Sequence, residues 1–155
     1  MGNITVVGLG WTAGQLTLEA AELLRRSDKI LLHTDRCGCA EWLKRQGIAY
    51  ESLDALYEAF DDFDEHAEAA AKAVFEAARE GDVVYGVFDV RDRSVAALTR
   101  RGDAVRIVAG PSAEGALLAL ADGAVKALEA SDWEAFQLYA GDNCLIRELD
   151  SRQLA

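Results

Sequence analysis

The sequence predicts an α/β protein whose open, mainly parallel sheet carries helices on both faces. Apolar runs of strand length alternate with helical patterns along most of the 155 residues, and short loops separate them. Residues 82–88 form a continuous apolar run, which is typical of a strand buried on both faces of a parallel sheet. No internal repeat interrupts this order, and the single proline leaves glycine, Asp and Asn to mark the turns.

Composition and end signals predict the first strand and helix. Residues 3–9 are β-branched and apolar and stop at glycines, which predicts a buried strand. Residues 17–26 place apolar side chains at helical spacing, with Thr17 as a cap and Glu19 in the first turn. Residues 29–33 form a second short apolar run, which predicts the second strand.

The next predicted helices and strand are shorter. A helix is predicted from about residue 40 to residue 46, where Gly47 ends it. Residues 48–52 indicate a weaker strand, and residues 53–60 indicate a short helix. The order of strand, loop and helix is therefore repeated.

An alanine-rich segment over residues 64–80 predicts a long helix, because alanine carries almost no helix-forming penalty. Gly81 ends this helix, and the apolar strand over residues 82–88 follows it. Residues 94–101 then predict a helix, and residues 104–109 predict another strand.

The end of the chain is organised differently. Pro111 and Ser112 open a predicted helix over residues 113–121. Residues 1–133 are long enough for a single α/β domain with its own core. Residues 134–155 hold one or two strand-like runs without a helix to cover them, so we expect a linker or the start of a second domain.

The acidic composition argues against several classes of partner. Asp and Glu number 27 against 16 Lys and Arg, which gives a formal net charge of −11. Such a charge repels the phosphates of nucleic acid and anionic membrane surfaces. We therefore expect neither a nucleic-acid partner nor a membrane partner.

Cysteine usage and the apolar runs bear on the location of the protein. The longest apolar runs cover only a few residues, and no leader with an apolar core follows Met1. The three cysteines are an odd number, and Cys37 and Cys39 are too close in sequence to pair comfortably. We expect reduced thiols in a cytoplasmic protein.

Ligands of open α/β sheets bind outside the carboxyl ends of the strands, and four loops qualify by position. These loops cover residues 8–15, 34–39, 88–93 and 110–113. The first resembles a dinucleotide-binding turn, but Ala13 stands where the third glycine belongs, so a nicotinamide or flavin site is disfavoured.

Several strings, taken in order, resemble the N-terminal domain of the tetrapyrrole (corrin/porphyrin) methylase family. The opening resembles the family's first strand, loop and helix in "VVGLG" and "LTLEAAELLRRSDKILL". The strings "GDVVYGVFD" and "VRIVAGPSAEGALLAL" resemble later loops of the family. The string "LLHTDR" is similar to the variant that is fused to MazG-type nucleotide pyrophosphohydrolases. The resemblance spans nearly the whole chain.

This resemblance implies a domain of an S-adenosylmethionine-dependent methyltransferase, with the fold of that N-terminal domain. In the family the methyl donor lies in a cleft between two α/β domains, so we expect the chain to be the first domain of a longer enzyme. The resemblance also implies a homodimer and a fused or partner MazG-type hydrolase. The donor-binding residues that it implies are Gly8, Leu9, Gly10, Asp89, Gly110 and Ser112.

The loops also depart from the family pattern. Gly10, Trp11, Thr12 and Ala13 occupy the place of a Gly-Pro-Gly-Asp-like loop, and Asp89 alone remains of a Gly-Asp-Pro pattern. A side chain at such positions can block the close approach of a ligand to the backbone. These departures favour an alternative function, a degenerate, non-catalytic binding or dimerisation module that is associated with a nucleotide pyrophosphohydrolase.

The predicted site residues also have structural interpretations. Gly8 and Gly10 could simply turn the chain from strand to helix. Asp89 could accept a hydrogen bond from a ligand hydroxyl or cap the turn before Ser94. Ser112 could bind an anion at a helix start or act as an ordinary N-cap. No catalytic residue is assigned, since an activated methyl group requires alignment more than acid–base chemistry.

Other polar residues favour structural roles. His33 at a strand end and His66 on an acidic helix are expected to be plain surface or edge residues. Cys37 and Cys39 make an incomplete zinc site, and no metal is predicted. Asp61, Glu65 and Glu68 could share a helix face as magnesium ligands do, but a solvated face at the start of a long helix is favoured.

Overall fold

The computed structural model describes residues 2–101, 104–112, 115, 119–129 and 143–147. The chain divides into two compact units, Met1–Ser112 and Ala113–Ala155. The domain boundary that the sequence predicts between residues 133 and 134 lies outside the described residues and stays a prediction.

A five-stranded sheet forms the centre of the first unit. Its strands lie in the order β3-β2-β4-β1-β5, and every pair of neighbours is parallel. The strands are β1 (Ile4–Gly8), β2 (Ile30–Leu32), β3 (Glu51–Ser52), β4 (Val83–Val87) and β5 (Val105–Val108). Because the strands are parallel, their carboxyl ends share one edge, and the predicted fold class is confirmed.

Five helices and one short 3₁₀ helix connect these strands. The helices are α1 (Leu18–Arg26), α2 (Gly38–Gln46), α3 (Ala55–Ala59), α4 (Phe63–Ala78) and α5 (Arg93–Arg100). The 3₁₀ helix, Ala13–Gln15, lies within the loop between β1 and α1. Each helix that the sequence predicts in this unit is present.

The end signals of these helices agree with the sequence, with small shifts. The Thr17 hydroxyl accepts a hydrogen bond from the Ala20 amide at 3.1 Å, and Gly47 ends α2 with a φ of 69°. Helix α2 begins at Gly38, two residues before the predicted start, because the backbone of Cys37 is already its N-cap. The long helix α4 ends at Ala78 rather than at Glu80.

The sheet is covered on both faces. On one face, Val6 and Tyr85 pack in a cluster with Val74 of α4 and Leu98 of α5. On the other face, strand residues that include Val7 pack against α1 and α2, and this cluster contains Leu24, Ala40 and Leu43. Successive strand residues alternate between the two clusters, so both faces are apolar and both need a helical layer.

The second unit contains two parallel strands, β6 (Val125–Glu129) and β7 (Asn143–Arg147). A strand-like run was expected where β7 lies, but β6 was not predicted. Of the predicted helix over residues 113–121, only residues 115 and 119–121 are described, and Gly115 is helical while residues 119–121 form a turn and a bend. Within the described residues, no helix has both the length and the apolar character that a bilayer crossing requires.

Candidate functional site

The carboxyl edge of β1, β4 and β5 brings three of the four candidate loops together. Gly8 ends β1 beside Val87 of β4, and the loop after β5 returns to it. A Cβ atom placed on Gly110 would lie 2.2 Å from the Gly8 carbonyl oxygen, and one on Gly8 would lie 2.6 Å from the Gly110 nitrogen. The two backbones therefore touch where no side chain fits.

The first loop is held by its own hydrogen bonds. The amides of Leu9, Gly10, Trp11 and Thr12 all donate within the chain. Their acceptors are, in order, Val87 O at 2.8 Å, Phe88 O at 3.1 Å, and Gln15 Oε1 at 2.6 Å and 3.2 Å. An anion-binding loop presents consecutive free N–H groups to its ligand, whereas these four are already used.

An aromatic pair joins the first and second loops. The rings of Trp11 and Phe88 stack with a centroid distance of 4.6 Å, while Trp11 remains 50% exposed. Gly10 precedes Trp11 with a φ of 67°, a left-handed conformation that glycine adopts without strain. The first loop thus presents an aromatic surface rather than a cradle of amides.

Asp89 lies in the second loop, next to this pair. Its Oδ1 accepts a hydrogen bond from the Arg91 amide at 3.0 Å, and its Oδ2 lies 3.3 Å from the Arg91 guanidinium. Asp92, rather than Asp89, caps α5 by accepting from the Ser94 amide at 2.8 Å. Asp89 therefore forms the turn before Ser94, which is one of the two interpretations left open by the sequence.

The predicted donor-binding residues occupy three loops at this edge. Gly8, Leu9 and Gly10 belong to the first loop and Asp89 to the second. Gly110 packs on Gly8, and Ser112 follows two residues later, half-buried. The residues that would follow Ser112 in the predicted helix are mostly outside the described part, so its expected capping role stays a prediction.

The histidines do not fit the surface role that the sequence predicted. His33 is 5% exposed and His66 is 4% exposed, and their rings meet edge to face at 5.1 Å between centroids. They are 33 positions apart in the sequence, so only the docking of α4 beside the end of β2 brings them together. The prediction of plain surface or edge residues was therefore wrong.

A buried hydrogen-bond chain starts at His33. Its Nδ1 lies 2.5 Å from the Tyr85 hydroxyl, which lies 2.8 Å from the Ser94 hydroxyl. Ser94 donates in turn to Asp92 Oδ1 at 2.5 Å, and Asp92 Oδ2 lies 3.8 Å from His33 Nε2. Tyr57 also meets both imidazole rings, with centroid distances of 4.1 Å to His66 and 5.6 Å to His33.

Burial keeps the two imidazole rings and the Tyr85 phenol neutral near pH 7. It lowers the pKa of His33 against the opposing pull of Asp92 and Asp54. Burial also lowers the pKa of His66, and the neighbouring His33 adds to the effect. Burial raises the pKa of Tyr85, so the phenol at the centre of the chain stays protonated.

Asp54 organises the loop between β2 and α2 from the end of β3. Its carboxylate accepts from the Thr34 hydroxyl at 2.5 Å, the Asp35 amide at 2.9 Å and the Ser52 hydroxyl at 2.6 Å. Burial raises the pKa of Asp54, but these hydrogen bonds outweigh burial and hold it at about 2.

Asp54→Asn is expected to remove most of this stabilisation, about 1 kcal/mol after solvent screening. Because the folded pKa lies below the ordinary value, the contribution is present above about pH 4 and lost as the pH falls towards about 2. Urea unfolding of both proteins at pH 7 and at low pH measures this. A free-energy difference that stayed constant down to about pH 2 would contradict the assignment.

Cys39 and Gly38, at the start of α2, support the first loop. The Cys39 thiol donates to the Leu9 carbonyl at 3.4 Å, and the Gly38 amide donates to Trp11 O at 3.4 Å. Within the described residues, no group of three or more His, Cys, Asp or Glu side chains could hold a metal ion.

The acidic start of α4 is a solvated face, as the sequence favoured. Asp61 and Glu65 are exposed. Glu68 binds Arg100 at 2.9 Å and Arg101 at 3.0 Å, which ties α4 to the end of α5. Both pairs use Glu68, and they are exposed pairs of the kind that contributes little to stability.

Known proteins agree with this architecture. The uroporphyrin-III-C-methyltransferase of Thermus thermophilus superimposes with a TM-score of 0.60, covering 94% of this chain and 67% of that one at 21% identity. Protein YabN of Bacillus subtilis (strain 168), described as uncharacterized, is 32% identical over 161 residues, which cover 97% of this chain. The chain spans 31% of the length of YabN.

A family profile gives the assignment. The profile described as "Tetrapyrrole (Corrin/Porphyrin) Methylases" matches residues 3–126, well over half of the chain. This match covers all five strands of the parallel sheet and the three loops at its carboxyl edge. The chain therefore belongs to the tetrapyrrole (corrin/porphyrin) methylase family.

Proposed function

We propose that the chain is the donor-binding domain of an S-adenosylmethionine-dependent methyltransferase, with the donor at the carboxyl edge of β1, β4 and β5. The observation that carries this proposal is the meeting of the loops of Gly8, Asp89 and Gly110 at one edge, in a member of this family. Ligands of open α/β sheets bind at such edges.

The residues present fit the donor in part. Asp89 offers a carboxylate that can accept a hydrogen bond from an ammonium or hydroxyl group, and the exposed face of Trp11 offers a flat apolar surface. The amides from Leu9 to Thr12 do not fit a role in holding the donor's carboxylate, since all four donate within the chain.

Methyl transfer requires few reactive side chains at this edge. S-adenosylmethionine supplies a methyl group already activated by its sulfonium, so the protein has to hold the donor and align an acceptor. That requirement matches a site that offers one carboxylate and an exposed aromatic face.

One observation favours the alternative, a non-catalytic binding or dimerisation module. Three of the glycines in the first and third loops have a structural reason to be there. Gly8 and Gly110 fit against each other, and Gly10 has a positive φ. The glycines are therefore needed whether or not a ligand binds.

Titration calorimetry of the full-length protein with S-adenosylmethionine and S-adenosylhomocysteine separates the two functions. Binding of both, with saturable heat, is expected of a methyltransferase. The absence of heat and of any thermal shift at millimolar ligand would refute the proposal and leave the non-catalytic module.

Asp89→Asn tests the placement of the donor. Loss of one charge-assisted hydrogen bond is expected to weaken donor binding about tenfold. Asp61→Asn, an exposed acid at the start of α4, is the matched control and should leave the affinity unchanged. Equal affinities for both variants would mean that the donor binds elsewhere.

We also propose, from the resemblance to the fused variant, that the protein is a cytoplasmic homodimer with a fused or partner MazG-type hydrolase. Light scattering of the full-length protein and a pyrophosphohydrolase assay on nucleoside triphosphates test these points. A monomer, or a preparation without hydrolase activity or partner, would contradict them.

A further inference from the structure

The buried histidines and their cover form a second feature of the carboxyl edge, at β2 and β4. His33 has neighbours at both ring nitrogens, Tyr85 at Nδ1 and Asp92 at Nε2. His66 differs, because its Nε2 is buried and has no hydrogen-bond partner among the described residues. A neutral imidazole tolerates one unused nitrogen far better than a charged one does.

Tyr57 covers this pair from the solvent side. Its ring lies 4.1 Å from that of His66 and is itself 42% exposed. It belongs to α3, a helix of five residues, none of which is buried. Few apolar contacts hold α3, so it is the element over the histidines that opens at the lowest cost.

We propose that α3 is an acid-sensitive cover, and that protonation of His66 releases Tyr57 and α3 from the buried histidine pair. The protonated ring would carry an N–H group at both nitrogens, and Nε2–H would be buried without an acceptor among the described residues. Opening α3 exposes His66 to water and removes this penalty.

The charged and titratable neighbours set the direction of the effect. The acids facing the pair are Asp92 at the start of α5 and Asp54 before α3, and both favour a charged imidazole. Tyr85 faces it from β4, and Arg36 faces Tyr57 from the loop after β2. Burial raises the pKa of Tyr57 to about 12, so neither phenol ionises in the relevant range.

Burial outweighs the two acids, so the closed state keeps the imidazoles neutral below their ordinary pKa of about 6.5. The open state restores the ordinary value for His66 and therefore binds more protons in this range. Acid shifts the equilibrium towards the open state, by up to about tenfold for each pH unit below about 6.5.

Hydrogen exchange measures the opening directly. Protection factors of the α3 amides, Ala55–Ala59, are expected to fall about fivefold between about pH 6.5 and about pH 5.5. Those of α1 should stay constant, which separates local opening from unfolding. His66→Gln keeps a polar side chain that does not titrate, and its α3 protection should not change with pH.

The histidine NMR signals give a second test in the unaltered protein. The chain contains two histidines, so the His66 signals can be assigned. A His66 titration midpoint at or above about 6.5 would overturn the proposal. So would constant α3 protection, or an equal loss in His66→Gln. Should that variant fail to fold, the NMR midpoint and the wild-type exchange profile still decide. The proposal is independent of methyl-donor binding.

Discussion

Gly8→Ala is expected to destabilise the first unit by about 2 kcal/mol and to lower its melting temperature by roughly 5–10 °C. The new Cβ would lie 2.6 Å from the Gly110 nitrogen and 3.2 Å from a methyl carbon of Val90. Gly110 contributes backbone atoms that cannot rotate away, so the loop after β5 has to shift. Thermal and urea unfolding monitored by circular dichroism measure the loss.

Gly81→Ala is the matched control for this variant. A Cβ at Gly81 meets no heavy atom within 4 Å, and the residue lies in a turn after α4. Its stability is expected to change by less than about 0.5 kcal/mol. If both alanine variants were equally stable, the backbone contact between Gly8 and Gly110 would not matter for the fold.

Tyr85→Phe is expected to cost about 2 kcal/mol, because it removes the hydroxyl group at the centre of the buried chain. His33 Nδ1 and the Ser94 hydroxyl would each lose the phenol as a hydrogen-bond partner, at a position where Tyr85 is fully buried. The ring and its packing are kept, so the loss reports the hydrogen bonds. Urea unfolding at pH 7.5 gives the free-energy change.

Tyr57→Phe and a double-mutant cycle serve as controls for the stability that Tyr85→Phe loses. Tyr57 is half-exposed, so removal of its hydroxyl should change stability by less than about 0.5 kcal/mol. The double variant Tyr85→Phe/Ser94→Ala should lose less stability than the sum of the two single variants, because both changes remove the same hydrogen bond. Strict additivity would show that the two hydroxyls are not coupled.

Local signals in the sequence predicted most of the first unit. Four of the five strands have an apolar run of strand length, whereas β3 covers only Glu51 and Ser52. The helix ends follow residues such as Thr17 and Gly47 whose effect is local. The parallel arrangement followed from the alternation of elements. Boundaries shifted by about two residues where a cap, such as Cys37, has no strong sequence signal.

β6 was missed because its sequence has little strand character. The segment around "VKALE" combines alanine, leucine, lysine and glutamate, which are good helix formers. Its pairing with β7, and not its propensity, makes it a strand. Long-range pairing overrides weak local preference, and a single sequence carries no signal for that pairing.

The meeting of the candidate loops at one edge was predictable, but the contacts within them were not. The rule for parallel sheets locates the loops of Gly8, Asp89 and Gly110 correctly at one edge. That His33 and His66 meet depends on how α4 docks, which no spacing in the sequence records. The use of the Trp11 and Thr12 amides likewise depends on Gln15, whose amide oxygen reaches back over the turn.

The backbone contact between Gly8 and Gly110 has a consequence for recognising inactive relatives. A descendant that had lost its ligand would still need both glycines in order to fold, so the pair would survive the loss of activity. Residue types that packing leaves free to vary carry the better diagnosis. In this chain Trp11 is half-exposed, so packing constrains it less than it constrains the two glycines. Comparing this position between relatives that bind the methyl donor and relatives that do not would distinguish active members of the family from inactive ones.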